Sequence, residues 1–285
     1  MTRQGDAGSA GESPEGGSAV PGRADGTGSG SRDGPGGGRE AVPWWTRFLI
    51  VGAALSAVLL TFGPLSHRFG LLELGPSFLV VVSAVAVAAV AFLGSMTMAV
   101  YAHTKDLSRA RNLSMVALVI SLAPIAVIAP QVIQGASVPA IHDITTDTED
   151  PPRFDAIVEI RGDAPNPLSY GAGMESPEEL ARLQEEAYPE IESLRTELEA
   201  EEAVARAVEV LQAQGHEVVN REIESGVGIV EAVATTFWFG FRDDVVVRVR
   251  PADGGSVVDV RSVSRVGQSD LGKNAERIRE FLETF

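Results

Sequence analysis

The chain has 285 residues, no cysteine, and 23 Lys and Arg against 39 Asp and Glu, a formal net charge of −16. Disulfides and thiolate chemistry are excluded, and so acidic a surface is unsuited to broad contact with nucleic acid or anionic lipid. The acidity is concentrated at one end: residues 140–285 hold 14 Lys and Arg against 31 Asp and Glu.

Residues 1–42 are dominated by Gly, Ser, Pro, Asp, Glu and Arg, and they offer almost nothing to bury. Such a segment cannot offset the entropy of ordering, so a disordered tail is expected. The region 43–135 contains three apolar stretches, at 44–62, 76–101 and 113–133. A bilayer core about 30 Å thick needs roughly 20 helical residues to cross it. Arg47, at the start of the first stretch, is the only ionised side chain in the three. Apolar residues all round mark them as transmembrane helices in contact with the lipid bilayer. Trp44, Trp45 and Tyr101 fall where interfacial aromatics sit, and Pro124 and Pro130 are expected to kink or end the third span. Arg39 and Arg47 flank the first span on its N-terminal side, and Lys105, Arg109 and Arg111 crowd the loop between the second and third. Basic residues stay on the cytoplasmic side. The N-terminus is therefore expected inside an inner (cytoplasmic) membrane, and residues 136–285 outside the cytoplasm.

The outer region reads as an α+β domain. Its first part, to about residue 175, is rich in Pro, Asp and Thr and reads as an extended arm with at most one short strand, "FDAIVEI". Ser176 and Pro177 open a helix, with Glu179 placed to complete a capping box. A second helix covers about 199–214, with Ala200, Val204, Ala207, Val208 and Leu211 on one face, and Gly215 stops it. Strand-like runs follow at 216–224, 228–238, 243–250 and 256–263. In the last two, valines alternate with charged residues. Burying both valine faces requires Val247 opposite Val260 and Arg248 opposite Asp259, because a slip of one residue turns arginines into the core. The expected fold is an antiparallel meander packed against helices. The last helix carries Leu271, Ala275, Ile278, Leu282 and Phe285 at helical spacing, with Asp270 as N-cap. "TTFWFGF" (235–241) reads as strand-end core rather than a ligand-stacking box, although exposed aromatics there would mark an interface.

Between the last strand and the last helix lies "RSVSRVGQSDLGKN" (261–274). Gly267 to Lys273 is one residue short of a phosphate-binding loop. Asn274 stands where the magnesium-binding hydroxyl belongs, and Asp270 where phosphate charge would collect, so the spacing is coincidental. The stretch Arg261, Ser262, Ser264, Arg265, Gly267, Ser269, Asp270, Gly272 and Asn274, with the acids Asp243 and Asp244 before it, resembles the domain of unknown function 1499 family. "IHDITTDTEDPPRF", "AYPEIESL" and "EEAVARAVEVLQAQGHEVV" resemble its N-terminal half, so the likeness covers about 140–285. The resemblance implies a fold and a membrane-fused arrangement. It implies no established activity.

The candidate site is therefore Asp243, Asp244, Arg261, Ser262, Ser264, Arg265, Gly267, Ser269, Asp270 and Asn274. One account makes it a structural joint, in which Arg261 and Arg265 pair with Asp243 and Asp244. A second makes it an anion site, with Arg261, Arg265 and Lys273 beside a helix N-terminus. An envelope hydrolase or lyase would use Asp243, Asp244, Asp270, Ser264 and Ser269. However, the only histidines of the outer region, His142 and His216, have no spacing that brings them to a serine, and both read as surface residues. Asp243, Asp244 and Asp270 could meet as a hard-cation site, but no ligand spacing calls for a metal. No cofactor and no nucleic acid is expected. The expected role is a binding or scaffolding module of the cell envelope, with an envelope protein or small anion as partner.

Overall fold

A computed structural model describes residues 42–285. The expected tail, but for its last residue, lies outside the described residues.

Three helices come first: α1 (Trp44–Arg68), α2 (Leu74–Thr104) and α3 (Ser108–Ser137), each long and apolar enough to cross a membrane. They meet through small side chains, with Ala53, Ala91 and Ala117 in one cluster and Ser56, Ser77, Ser95 and Ser121 fully buried. Their outward faces carry Val58, Val90 and Val119. This is the pattern of helices that associate in lipid, where apolar bulk gives no preference for a neighbour and close backbone approach does. At Gly63 an added Cβ would stand 2.8 Å from a Val81 methyl, so only hydrogen fits at this crossing. The α3 helix runs through Pro124 and Pro130 to Ser137, so neither proline ends it as expected. Apolar helices tolerate the missing amide where neighbouring groups re-satisfy the backbone.

The rest of the chain is an antiparallel sheet with helices. Strands β3 (Glu217–Glu224), β4 (Val227–Thr235), β5 (Arg242–Ala252) and β6 (Gly255–Ser264) form a meander. Two short strands, β1 (Asp143–Thr145) and β2 (Leu194–Thr196), both pair with β6 and share its outer edge, which makes six strands in all. In the β5–β6 register Val247 opposes Val260 and Arg248 opposes Asp259, as the valine parity requires. Val245, Val247, Val249, Val258 and Val260 face a core completed by Val204, Ala207 and Leu211 of α6 (Ala200–Ala213) and by Ile278 and Phe281 of α7 (Lys273–Thr284).

The stretch "FDAIVEI" is not a strand; it holds a one-turn helix, α4 (Ala156–Ile160). The cause is tertiary. Glu231 of β4, fully buried, accepts the amides of Asp155 (2.8 Å), Ala156 (2.9 Å) and Ile157 (3.4 Å), so a distant carboxylate caps the turn. In α5 (Pro177–Ala187) Ser176 Oγ accepts the Glu179 amide, but the Glu179 carboxylate grips Arg182, so the reciprocal half of the capping box does not form.

Side-chain hydrogen bonds tie the sheet to the helical bundle at two places. At the end of α1 the Arg68 guanidinium donates to the carbonyls of Thr236 (2.9 Å) and Phe237 in the β4–β5 turn. At the end of α3 the Gln134 amide donates to Leu271 O (2.7 Å) in the loop before α7.

Candidate functional site

The pleat of β5 and β6 decides what the 261–274 motif can do. Adjacent residues of a strand point to opposite faces, so Asp243 and Asp244 cannot share a site. Asp243, Ser262 and Ser264 lie on the helix side of the sheet. Asp244, Arg261 and Arg265 lie on the other side, under the arm that precedes α5.

On the arm side Asp244 is fully buried, with Arg265 on one oxygen (Nη2 2.7 Å, Nε 2.9 Å) and Arg161 on the other (Nε 3.0 Å). Arg261 does not pair with Asp243 or Asp244. It forms a bidentate pair with Asp143 of β1 (2.9 and 2.8 Å), and donates to Pro152 O and Leu168 O. Its guanidinium also lies against the rings of Phe154 and Tyr170. Further along, the fully buried Asp259 takes Arg248, Arg250 and the Ser193 hydroxyl, and Asp147 and Asp150 complete that cluster. This second face is thus a buried ionic layer rather than a solvated one. The Tyr170 hydroxyl has no hydrogen-bond partner, and burial pushes its pKa upward.

On the helix side Asp243 pairs with Arg277 of α7 (2.7 Å). Arg277 also donates to Ser262 Oγ (2.8 Å) and Asn274 Oδ1 (2.6 Å), and Ser262 Oγ donates to the same Asn274 oxygen. Asn274 Nδ2 donates to Ser264 Oγ (3.0 Å) and His142 O (2.9 Å). Asn274 itself is fully buried, and every polar atom of its amide is satisfied.

The loop between these layers is pinned by Asn166, whose Nδ2 donates to Ser264 O (2.9 Å) and Gly267 O (2.8 Å). Asp270 accepts the amides of Gly272 (2.8 Å) and Asn274 (2.7 Å), and Ser269 Oγ accepts that of Leu271 (3.2 Å). Burial raises the Asp270 carboxyl above its usual range, against the lowering effect of those two amides. Asp270 thus serves the start of α7 from further upstream than the N-cap position, which Gly272 occupies. The chain reverses at Leu271 (φ 56°) and Gly272 (φ 81°), so Leu271 is not helical; it packs toward Gly135 of α3 instead. Glycine is favoured at 272 by this left-handed backbone rather than by space, since an added Cβ would make only ordinary contacts with the Tyr188 hydroxyl and the Gln134 amide. Lys273 is exposed and bonded to Glu276.

Sequence reasoning missed Asp143, Arg161, Arg277 and Asn166. Arg277 sits one turn after Asn274 and was within reach of a helical-spacing argument. Arg161 and Asn166 belong to the arm, where no periodicity exists to place them. His216 is not a plain surface residue: its Nε2 is buried without a partner, and its pKa is lowered to about 4 by burial and the Arg277 guanidinium, opposed by Asp243. Beyond Thr235, the last residue of β4, the stretch to 241 is a turn, not strand-end core. Phe239 and Phe241 stack on each other and reach Phe78 and His67, whereas Phe237 and Trp238 are 74% and 51% exposed.

Among the described residues no group of His, Asp and Glu is placed to hold a metal ion. A cleft of about 440 Å³ opens beside Arg261, lined also by Glu149, Asp150, Arg153, Phe154 and Tyr170. The Arg261 side chain is only 3% exposed there and already neutralised by Asp143.

The family described as "Protein of unknown function (DUF1499)" matches residues 143–285, the span from β1 to the end of α7. The chain belongs to the DUF1499 family. No curated protein and no solved structure matches it. The DUF1499 region thus contains all of the ionic layers described above, and the three apolar helices precede it.

Proposed function

We propose that this DUF1499 protein is an integral protein of the inner membrane that presents its acidic domain outside the cytoplasm as a binding or scaffolding module of the cell envelope. The orientation rests on Arg47, Lys105, Arg109 and Arg111, which lie at the end of the helical bundle away from the domain. Arg68, the basic residue at the domain end, is occupied by the carbonyls of Thr236 and Phe237.

One observation carries the module reading. Asp243 and Asp244 face opposite sides of the sheet, and Arg261, Arg265 and Arg277 are each engaged by a buried carboxylate. A hydrolase or lyase built on Asp243, Asp244, Asp270, Ser264 and Ser269 needs those groups to converge on one substrate. The pleat puts Asp244 on the face opposite Asp243 and Ser264, while Asp243 is held by Arg277 and Asp270 by the Gly272 and Asn274 amides. Ser264 and Ser269 are engaged by Asn274 and the Leu271 amide, and among the described residues no histidine or carboxylate accepts a hydrogen bond from either hydroxyl. A small anion is disfavoured too, because the cleft beside Arg261 is edged by Glu149 and Asp150. The partner best suited to the domain is an envelope protein with a basic surface, whose association weakens as salt rises.

Two measurements test this reading. A reporter fused after Phe285 that works only outside the cytoplasm should be active, and a strictly cytoplasmic reporter should be silent. Exposure of the full chain to a fluorophosphonate probe should leave its intact mass unchanged. An adduct on Ser264 or Ser269 would return the enzyme to first place.

A further inference from the structure

The helical bundle has one aromatic girdle of its own. Trp44, Trp45 and Tyr101 are exposed at the end of the bundle away from the domain. At the domain end the exposed large apolar residues include Phe69 (69%) and Leu71 (68%) in the α1–α2 turn and Ile133 in α3, joined by Phe237 and Trp238 from the β4–β5 turn. Exposed aromatics are unusual on the tip of a tight turn in a domain this charged; these two pack edge-on against each other and leave most of their surface uncovered.

Their height relative to the bilayer follows from helix geometry. From Trp45 to Arg68 the axial rise is about 35 Å, against a hydrocarbon core of about 30 Å. With Trp45 at one interface, Arg68 stands roughly one turn beyond the other boundary, among the headgroups. The β4–β5 turn is fastened at that level: Arg68 holds the Thr236 and Phe237 carbonyls and lies 5.8 Å from the Phe237 ring. Phe239 sits 5.1 Å from Phe78 of α2, so one side of the turn is bedded on the helices. Its tip residues are left outside that contact.

We propose that Phe237 and Trp238 enter the headgroup–acyl boundary of the outer leaflet and complete the second aromatic girdle. This proposal rests on the transmembrane reading of α1–α3. An acidic domain is repelled by an anionic leaflet, so the contact that seats it must be apolar. Indole and phenyl rings meet that need, since they partition to the interface without requiring positive charge. The turn at 235–241 therefore acts as a membrane foot. With the Gln134–Leu271 contact at the end of α3, it sets the tilt of the sheet over the bilayer.

The absence of cysteine makes the test direct. Full-length protein carrying Trp238→Cys, Phe237→Cys, Val90→Cys or Asp253→Cys is spin-labelled and reconstituted in phosphatidylcholine–phosphatidylglycerol vesicles. Collision with oxygen, which concentrates in lipid, is compared with collision with a water-soluble nickel chelate. Val90 lies mid-way along α2 on its outward face, and Asp253 is exposed in the β5–β6 turn. The expected oxygen-to-nickel ratio falls in the order Val90, then Phe237 and Trp238, then Asp253. In parallel, a Trp44→Phe, Trp45→Phe variant keeps Trp238 as the sole indole. Its emission should fall by about half in vesicles brominated near the top of the acyl chain and change little with aqueous iodide. Labels at 237 and 238 as open to nickel as that at 253 would overturn the foot. Labels shielded from both reagents would overturn it as well, by showing that protein covers the patch. A nickel-accessible Val90 label would instead defeat the span reading itself.

Discussion

The ion pair between Asp244 and Arg265 offers the sharpest test of the joint. Asp244 is fully buried, and Arg265 and Arg161 are 8% and 7% exposed, so solvent screens none of the three. Arg265→Met removes both hydrogen bonds to one carboxylate oxygen while Arg161 keeps the other. Breaking a buried pair costs about 3–5 kcal/mol, and the surviving partner places this variant near the low end. Asp244→Leu is worse, because it leaves two guanidinium groups that cannot deprotonate, and about 5 kcal/mol or more is expected. The triple variant Asp244→Leu, Arg161→Met, Arg265→Met removes every charge together. It should return to within about 1 kcal/mol of the parent, since well-packed apolar replacements of buried ion pairs are often neutral. For a domain of this size about 3 kcal/mol corresponds to a fall of roughly 10 °C in melting temperature. Hydrogen exchange of the β5 and β6 amides in the detergent-solubilised chain reads the same free energies. If Arg265→Met costs less than about 1 kcal/mol, or more than Asp244→Leu, the buried-triad argument is wrong.

Asp270→Ala leaves the Gly272 and Asn274 amides without their acceptor and should cost about 0.5–2 kcal/mol. Asp270→Asn, which keeps one acceptor oxygen in a site that disfavours charge, should cost less on the same melts. His216 is held neutral, with a folded pKa of about 4 against an ordinary 6.5. The unfolded chain therefore binds the extra proton first, and stability present above pH 6.5 should decline as pH falls toward 4. His216→Gln should flatten that part of the stability–pH curve. Lys273→Ala should leave the melting temperature unchanged, and ATP with magnesium should raise it in neither protein. A nucleotide-dependent rise lost in Lys273→Ala would falsify the account of 267–273 as a joint.

Much of this protein was determined by local pattern alone. Length and apolarity set the three helices, because a bilayer asks only for enough consecutive apolar residues. Valine parity determined the register of Arg248 against Asp259, because a one-residue slip exposes a whole face. Charged side chains carry no such parity rule. That Arg261 would choose Asp143 over Asp244, and Arg265 the reverse, depended on β1 lying along the edge of β6 and on the arm crossing beneath it. The helical turn at Ala156–Ile160 likewise needed Glu231, whose carboxylate arrives from another strand. The exposure of Phe237 and Trp238 escaped sequence reasoning for a related reason. Their composition matches a buried strand end, and only the seating of the turn on Arg68 and Phe78 decides which aromatics are covered and which are left exposed.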